Sequence, residues 1–112
     1  MLPKLSRLNL RKDFKWVASG KKLETKYLKL FLKEGEDNLA RVGIATSSKS
    51  FKKAYERNRA RRLASSAFEA LYHQLPTDIS IVALPKVSIT SVKSHDVVSD
   101  LEKGLTDEKI ID

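Results

Sequence analysis

Residues 51–74 limit the folds open to this chain more than any other stretch. Ala60, Leu63, Ala64, Ala67, Phe68, Leu71 and, just beyond, Leu75 recur at the spacing of one helix face. Pro76 forbids continuation, because it lacks an N–H and its ring clashes with the preceding turn. A long helix with a single apolar stripe has to lie against another layer. The flanking segments read as strands that can form that layer.

Residues 27–33, YLKLFLK, alternate strictly. Leu28, Leu30 and Leu32 share one face of a strand; Tyr27, Lys29, Phe31 and Lys33 share the other. Residues 34–38 are a turn, and residues 39–46, LARVGIAT, form a second strand expected to pair with the first as a hairpin. A polar loop at 47–50 offers a serine to cap the long helix. Residues 78–84, DISIVAL, are almost wholly apolar, which suits a central strand covered on both faces, and Pro85 ends it. Residues 9–18 read as a first helix, with Asn9 as N-cap and Leu10, Phe14 and Val17 inside. Ser19-Gly20 stops it, Gly20 suiting the left-handed position past a helix end. A short extended piece near 22–25 follows. Residues 94–105 form a last helix, with Ser94 as cap and Val97, Val98 and Leu101 inside. Residues 106–112 are an acidic tail expected to fray. The order predicts one α+β domain over residues 1–105.

The 112 residues carry a net charge of +8, unevenly spread. Residues 1–62 hold 18 Lys/Arg against 6 Asp/Glu; residues 63–112 hold 4 against 8. Basic excess confined to one part of a chain points to a polyanion, and nucleic acid fits better than a membrane, since no basic helix keeps a bulky apolar face for lipid. No apolar run is long enough to span a bilayer and the N-terminus lacks a signal-peptide core, so a soluble cytoplasmic protein is expected. There is no cysteine, which excludes disulfides and thiolate metal sites. The two histidines, His73 and His95, read as exposed residues near helix ends. Neither a nucleophile elbow, a carboxylate cluster for two metals nor a glycine-rich phosphate loop is present. A self-sufficient enzyme is therefore disfavoured.

The strongest chemical feature is residues 49–62, KSFKKAYERNRARR. It brings Lys49, Lys52, Lys53, Arg57, Arg59, Arg61 and Arg62 together against one acid, Glu56. At about 100° per residue, Asn58, Arg61 and Arg62 turn away from the apolar stripe, with Arg57 at its flank. Guanidinium forks match phosphate oxygens. The plain alternative is a solvated basic face, but so many like charges with so few acids repel one another unless phosphate offsets them. A second feature is the alternation of Tyr27 and Phe31 with Lys29 and Lys33, rings for stacking beside cations for phosphates. The rings could equally be core with snorkelling lysines, and Phe14 and Trp16 share that ambiguity, with Lys4, Arg7, Arg11, Lys12 and Lys15 around them.

Residues 41–49, RVGIATSSK, followed by 54–63, AYERNRARRL, and Ala67-Phe68, resemble the signature of the bacterial ribonuclease P protein component. Residues 10–17, LRKDFKWV, with Gly20, are similar to that family's first helix, and the similarity spans roughly residues 5–105. The resemblance implies a two-layer α-β-β-β-α-β-α sandwich with a left-handed β-α-β crossover. It implies a subunit that assists removal of the 5′ leader from precursor tRNA, while the RNA subunit carries catalysis with Mg²⁺. Arg57, Asn58, Arg59, Arg61 and Arg62 would contact that RNA, with Lys49, Lys52 and Lys53 nearby. Phe14, Lys15, Tyr27, Lys29 and Phe31 would line a cleft for the single-stranded leader. No protein residue would be catalytic or hold the metal, and one protein monomer would pair with one RNA. The chain departs from the pattern in three places: the loop glycine is absent from Ser48-Lys49-Ser50-Phe51, Ala18 stands where a second aromatic is common, and Ala64-Ser65-Ser66 replaces a charged stretch. A structural RNA-binding protein, such as a small ribosomal protein, and a protein nuclease are the competing classes; the R-N-R helix and its upstream strand favour the first reading over both.

Overall fold

A computed structural model describes residues 7–35, 39–47 and 50–111. Its elements are α1 (Leu10–Ala18), β1 (Lys21–Glu24), β2 (Leu28–Glu34), β3 (Arg41–Ile44), α2 (Ala54–Leu71), β4 (Ile79–Pro85) and α3 (Ser94–Asp107), with 3-10 turns at Tyr72–Gln74 and Val87–Ser91. The α+β order matches the sequence reading.

The sheet order is β1-β2-β4-β3. β4 runs antiparallel to β2 and parallel to β3, so β3–α2–β4 is the crossover unit. The expected β2–β3 hairpin is therefore wrong, because β4 lies between the two strands. The reason is burial: Ile79 to Ala83 are all buried, and a strand that apolar on both faces gains most in the middle of the sheet.

Opposite faces of the strands feed two cores. Leu28, Leu30, Leu32, Val42, Ile81 and Ala83 pack with α2 and α3, where Phe68, Val97, Leu101 and Leu105 are fully buried. This sandwich is the main core. On the other face Val82 meets Leu8 and Val17, and half-buried Leu10, Phe14, Phe31 and Leu84 surround them. α1 thus covers only part of its face.

Local signals worked unevenly. The Asn9 side chain accepts from the Lys12 amide as the cap of α1. The long helix begins at Ala54 rather than at Phe51, with Lys53 rather than a serine at the N-cap position. Phe51, 1% exposed, is instead a plug in the core, its amide donating to Ser47 O at 2.9 Å. Lys93, not Ser94, caps α3, its amide donating to Asp96 Oδ2 at 3.1 Å. The tail does not leave the fold at Leu105. α3 runs to Asp107, Lys109 adopts φ 59°, and the Ile110 amide returns to Leu105 O at 2.8 Å while Lys109 N–H donates to Thr106 O at 3.0 Å. That is a Schellman turn. It buries Ile111 in the main core, and this apolar anchor is what outweighs the acidic character of residues 106–111.

Gly20 does not take the left-handed conformation expected of it, as no glycine among the described residues has positive φ. It is required by proximity: a Cβ there would stand 2.3 Å from Leu32 O. Gly43, in the R-V-G strand, likewise makes room for Leu10 Cδ2, 2.6 Å from its notional Cβ. Gly20→Ala should destabilise the domain by about 1–3 kcal/mol, since a backbone oxygen of β2 must move. Urea unfolding checks this, and wild-type stability would show that β2 yields freely.

Candidate nucleic-acid interface

The basic helix divides its arginines between two tasks. Arg57, half-buried at the flank of α2, donates from Nη1 to Phe51 O at 2.8 Å. Arg59 donates from Nε to Thr90 O and from Nη2 to Val92 O, both at 3.1 Å, stapling α2 to the 3-10 turn before α3. These two guanidiniums spend hydrogen bonds on the protein's own carbonyls. Asn58, Arg61 and Arg62 face outward, Arg62 making only a long 3.4 Å bond from Nε to Asn58 O on its own helix, and with Ser65 and Ser66 they line an open groove of about 700 Å³. Arg61 Nη2 donates to Asn58 Oδ1, so Asn58 orients a guanidinium beside the groove. Lys52 and Lys53 are exposed at the start of the helix, while Lys49 lies outside the described residues.

The small residues noted as a departure, Ser65 and Ser66, form the groove wall. Arg61 also reaches a cleft of about 210 Å³ at the sheet edge, lined with Arg7, Leu10, Gly43 and Ile44. Arg7 forms a parallel bridge with Val42, and the Leu8 amide donates to Val42 O at 3.0 Å. The sequence marked Arg7 only as added charge; its place beside α2 depends on this long-range bridge.

The sheet face under α1 holds the second cluster. Strand register puts Lys22 and Glu24 of β1, Lys29 and Phe31 of β2, and Val82 and Leu84 of β4 on one face. Phe14 packs in the same group as Phe31 and Leu84, and Lys29 Nζ lies 5.9 Å from the Phe31 ring centre. Phe14, Lys29 and Phe31 are thus brought to one face of the sheet, with exposed Lys15 following Phe14 on α1. Tyr27 is not part of it. β2 starts at Leu28, and the alternation ends there because Asp100 of α3 accepts the Lys26 and Tyr27 amides at 3.1 and 3.0 Å. Tyr27 consequently packs against the main core. Trp16 sits on another flank of α1, 5.0 Å from Lys33 Nζ, in a cleft with Lys12, Asp13 and Arg41.

Glu24 is the acid on the α1 face. Its carboxylate meets Lys86 Nζ at 2.7 Å. That hydrogen bond, with the Lys86 charge and then Lys22 and Lys29, holds its pKa below the usual carboxylate range. Lys86 also donates to Thr25 O at 2.7 Å. His73 and His95 are both exposed, and His95 Nε2 lies 3.4 Å from neighbouring Asp96 Oδ1. Among the described residues no three His, Cys, Asp or Glu side chains come together to hold a metal ion. Nor is any helix there long and apolar enough to cross a membrane.

Two arginine variants should behave oppositely. Arg57→Ala leaves the buried Phe51 carbonyl unmet and should cost about 1.5–3 kcal/mol of stability. Arg62→Ala should leave the unfolding midpoint nearly unchanged and lower the salt slope of RNA binding by about 1. Urea unfolding and binding at several salt concentrations separate the two; equal effects on both readouts would contradict the division.

Comparison with known proteins gives the family of the chain. The family model described as Ribonuclease P matches residues 2–109. A protein from Pseudanabaena named ribonuclease P protein component is 34% identical over 99% of this chain and 97% of its own length. One of the same name from Acinetobacter baylyi is 32% identical over 86% of this chain and 74% of its own. The solved ribonuclease P protein of Thermotoga maritima superposes with a TM-score of 0.76 at 26% identity, covering 87% of this chain and 92% of that one. The Staphylococcus aureus structure, at 18% identity and a TM-score of 0.80 over 96% and 98% of the two chains, shares the fold. With the R-N-R helix, the strand before it and nearly the whole length matched, the chain belongs to the ribonuclease P protein family, the protein component of that endoribonuclease.

Proposed function

We propose that this protein binds the RNA subunit of ribonuclease P through α2 and the 5′ leader of precursor tRNA through the α1 face of the sheet. It would thereby assist Mg²⁺-dependent removal of the leader in tRNA maturation. The observation that carries the reading is the groove of Asn58, Arg61 and Arg62, joined at the β3 edge to Arg7 and the start of α1. Phosphates bound there would release counterions, so affinity should fall steeply with salt. The leader's bases would stack beside Phe14 and Phe31, with Lys15, Lys22 and Lys29 meeting its backbone. Mg²⁺ would be held mainly by the RNA subunit and substrate, and the protein would reduce phosphate repulsion between leader and ribozyme. One protein monomer per RNA, in the cytoplasm, completes the proposal.

The test is cleavage of a precursor tRNA at low Mg²⁺ by a bacterial ribonuclease P RNA, with and without the protein. The wild type should restore cleavage at the mature 5′ end, and the Arg61→Ala/Arg62→Ala double variant should not. RNA binding without any support of cleavage, even with the ribozyme of its own organism, would instead indicate a structural RNA-binding protein.

Glu24 gives a finer check on the leader cleft. Glu24→Gln removes the acid beside Lys86 and should tighten binding of a single-stranded leader at low salt, the gain shrinking as salt rises. The lowered carboxyl stays ionised above the ordinary carboxylate range, so its bridge is intact there and is lost as pH falls through the lowered pKa. The gain over wild type should therefore vanish at strongly acid pH. Titration of a labelled leader oligonucleotide reads it, and equal affinities at neutral pH and low salt would remove the cleft from the leader's path.

A further inference from the structure

Tyr55 is the most exposed of the large hydrophobic side chains among the described residues, at 64%. It projects from the first turn of α2, two residues before the arginine run, with Lys53 Nζ 5.7 Å from its ring centre. Below it Arg59, Arg62, Leu63 and Ser66 complete a groove of about 300 Å³. Tyr55, Arg59, Arg62 and Ser66 follow one another by four, three and four residues, a single stripe along the helix. Arg59 is fixed in place by the Thr90 and Val92 carbonyls, so one wall of the groove is rigid before anything binds.

A phenol ring in water gains by covering its face, and what covers it is decided by charge. Between residues 52 and 62 six cations meet a single acid, Glu56. A protein partner of ordinary composition is not selected by such a surface, whereas RNA is. Within RNA, a duplex hides the faces of its bases and presents only phosphates and sugars here. An unpaired base has a free face to lay on the ring while its phosphates meet Lys53 and Arg62.

We propose that Tyr55 and the adjoining Arg59–Arg62 groove are a stacking site for an unpaired nucleotide of the RNA subunit, separate from the leader cleft on the opposite side of the sheet. The site rests on the reading of α2 as the RNA-subunit surface. It adds a shape requirement to a contact that charge alone leaves indifferent to base pairing. Tyr55 acts by the face of its ring and not by charge, so its share of binding should be insensitive to salt.

The experiment measures binding of a bacterial ribonuclease P RNA to wild type, Tyr55→Ala, Tyr55→Phe and Arg62→Ala across a range of salt. Tyr55→Ala should weaken binding by about 5-fold or more with an unchanged salt slope, and Tyr55→Phe should restore it. Arg62→Ala should lower the slope. A matching RNA duplex, used as a second probe, should bind wild type and Tyr55→Ala alike. Thermal unfolding of each variant, expected at the wild-type midpoint for so exposed a residue, excludes a folding defect. Wild-type affinity in Tyr55→Ala, or equal losses for RNA subunit and duplex, would overturn the stacking site while leaving the α2 surface standing. Failure of the wild type to bind the RNA subunit would remove the underlying reading as well.

Discussion

Everything in this domain answers to the need to cover β4. Five consecutive residues, Ile79 to Ala83, are buried, and such a strand cannot leave either face or either edge to water. β2 and β3 take its edges, α2 and α3 cover one face, and α1 covers part of the other. Because α1 is short, with Val17 its single fully buried residue, the second face stays partly open around Phe14 and Phe31. The demand for burial thus produces both a stable sandwich and an unfinished surface beside it, and the unfinished surface is where a ligand can lie.

Charge is handled by a similar economy. The helix that covers the main core carries the densest basic run of the chain on its outer side. Left alone, those guanidiniums would repel one another. Arg57 and Arg59 discharge much of that tension onto the carbonyls of Phe51, Thr90 and Val92, which simultaneously fixes the loop before α2 and the turn before α3. The helix therefore presents fewer free arginines than its sequence suggests, and those it presents are held by neighbours such as Asn58.

What could be read in the sequence was what is local. The apolar stripe of α2 is buried as its spacing requires, the Asn9 cap is made, and the almost wholly apolar strand is central. The strand order was not legible, because a turn between β2 and β3 fits a hairpin locally and only the competing claim of β4 excludes it. Tyr27 was misplaced because the group that diverts it, Asp100, is 73 residues away. The split between Arg57 or Arg59 and Arg61 or Arg62 was hidden for a related reason. Backbone carbonyls are the acceptors, and every residue has one, so composition gives no warning. Gly20 was recognised as special, but for a turn it does not make; the constraint is Leu32 O on another strand.

The bridge between Arg7 and Val42 bears on how this protein behaves among its own copies. An open sheet has two rims of unsatisfied peptide groups, each a template for another chain. On the β3 side the bridge and the Leu8 amide occupy part of that template. On the β1 side the rim strand is only four residues long and bears exposed Lys22, whose ammonium group opposes the approach of an identical strand, while Lys21 beside it pairs with Glu108 at 3.1 Å. The same cationic excess that suits a polyanionic partner therefore discourages edge-to-edge aggregation.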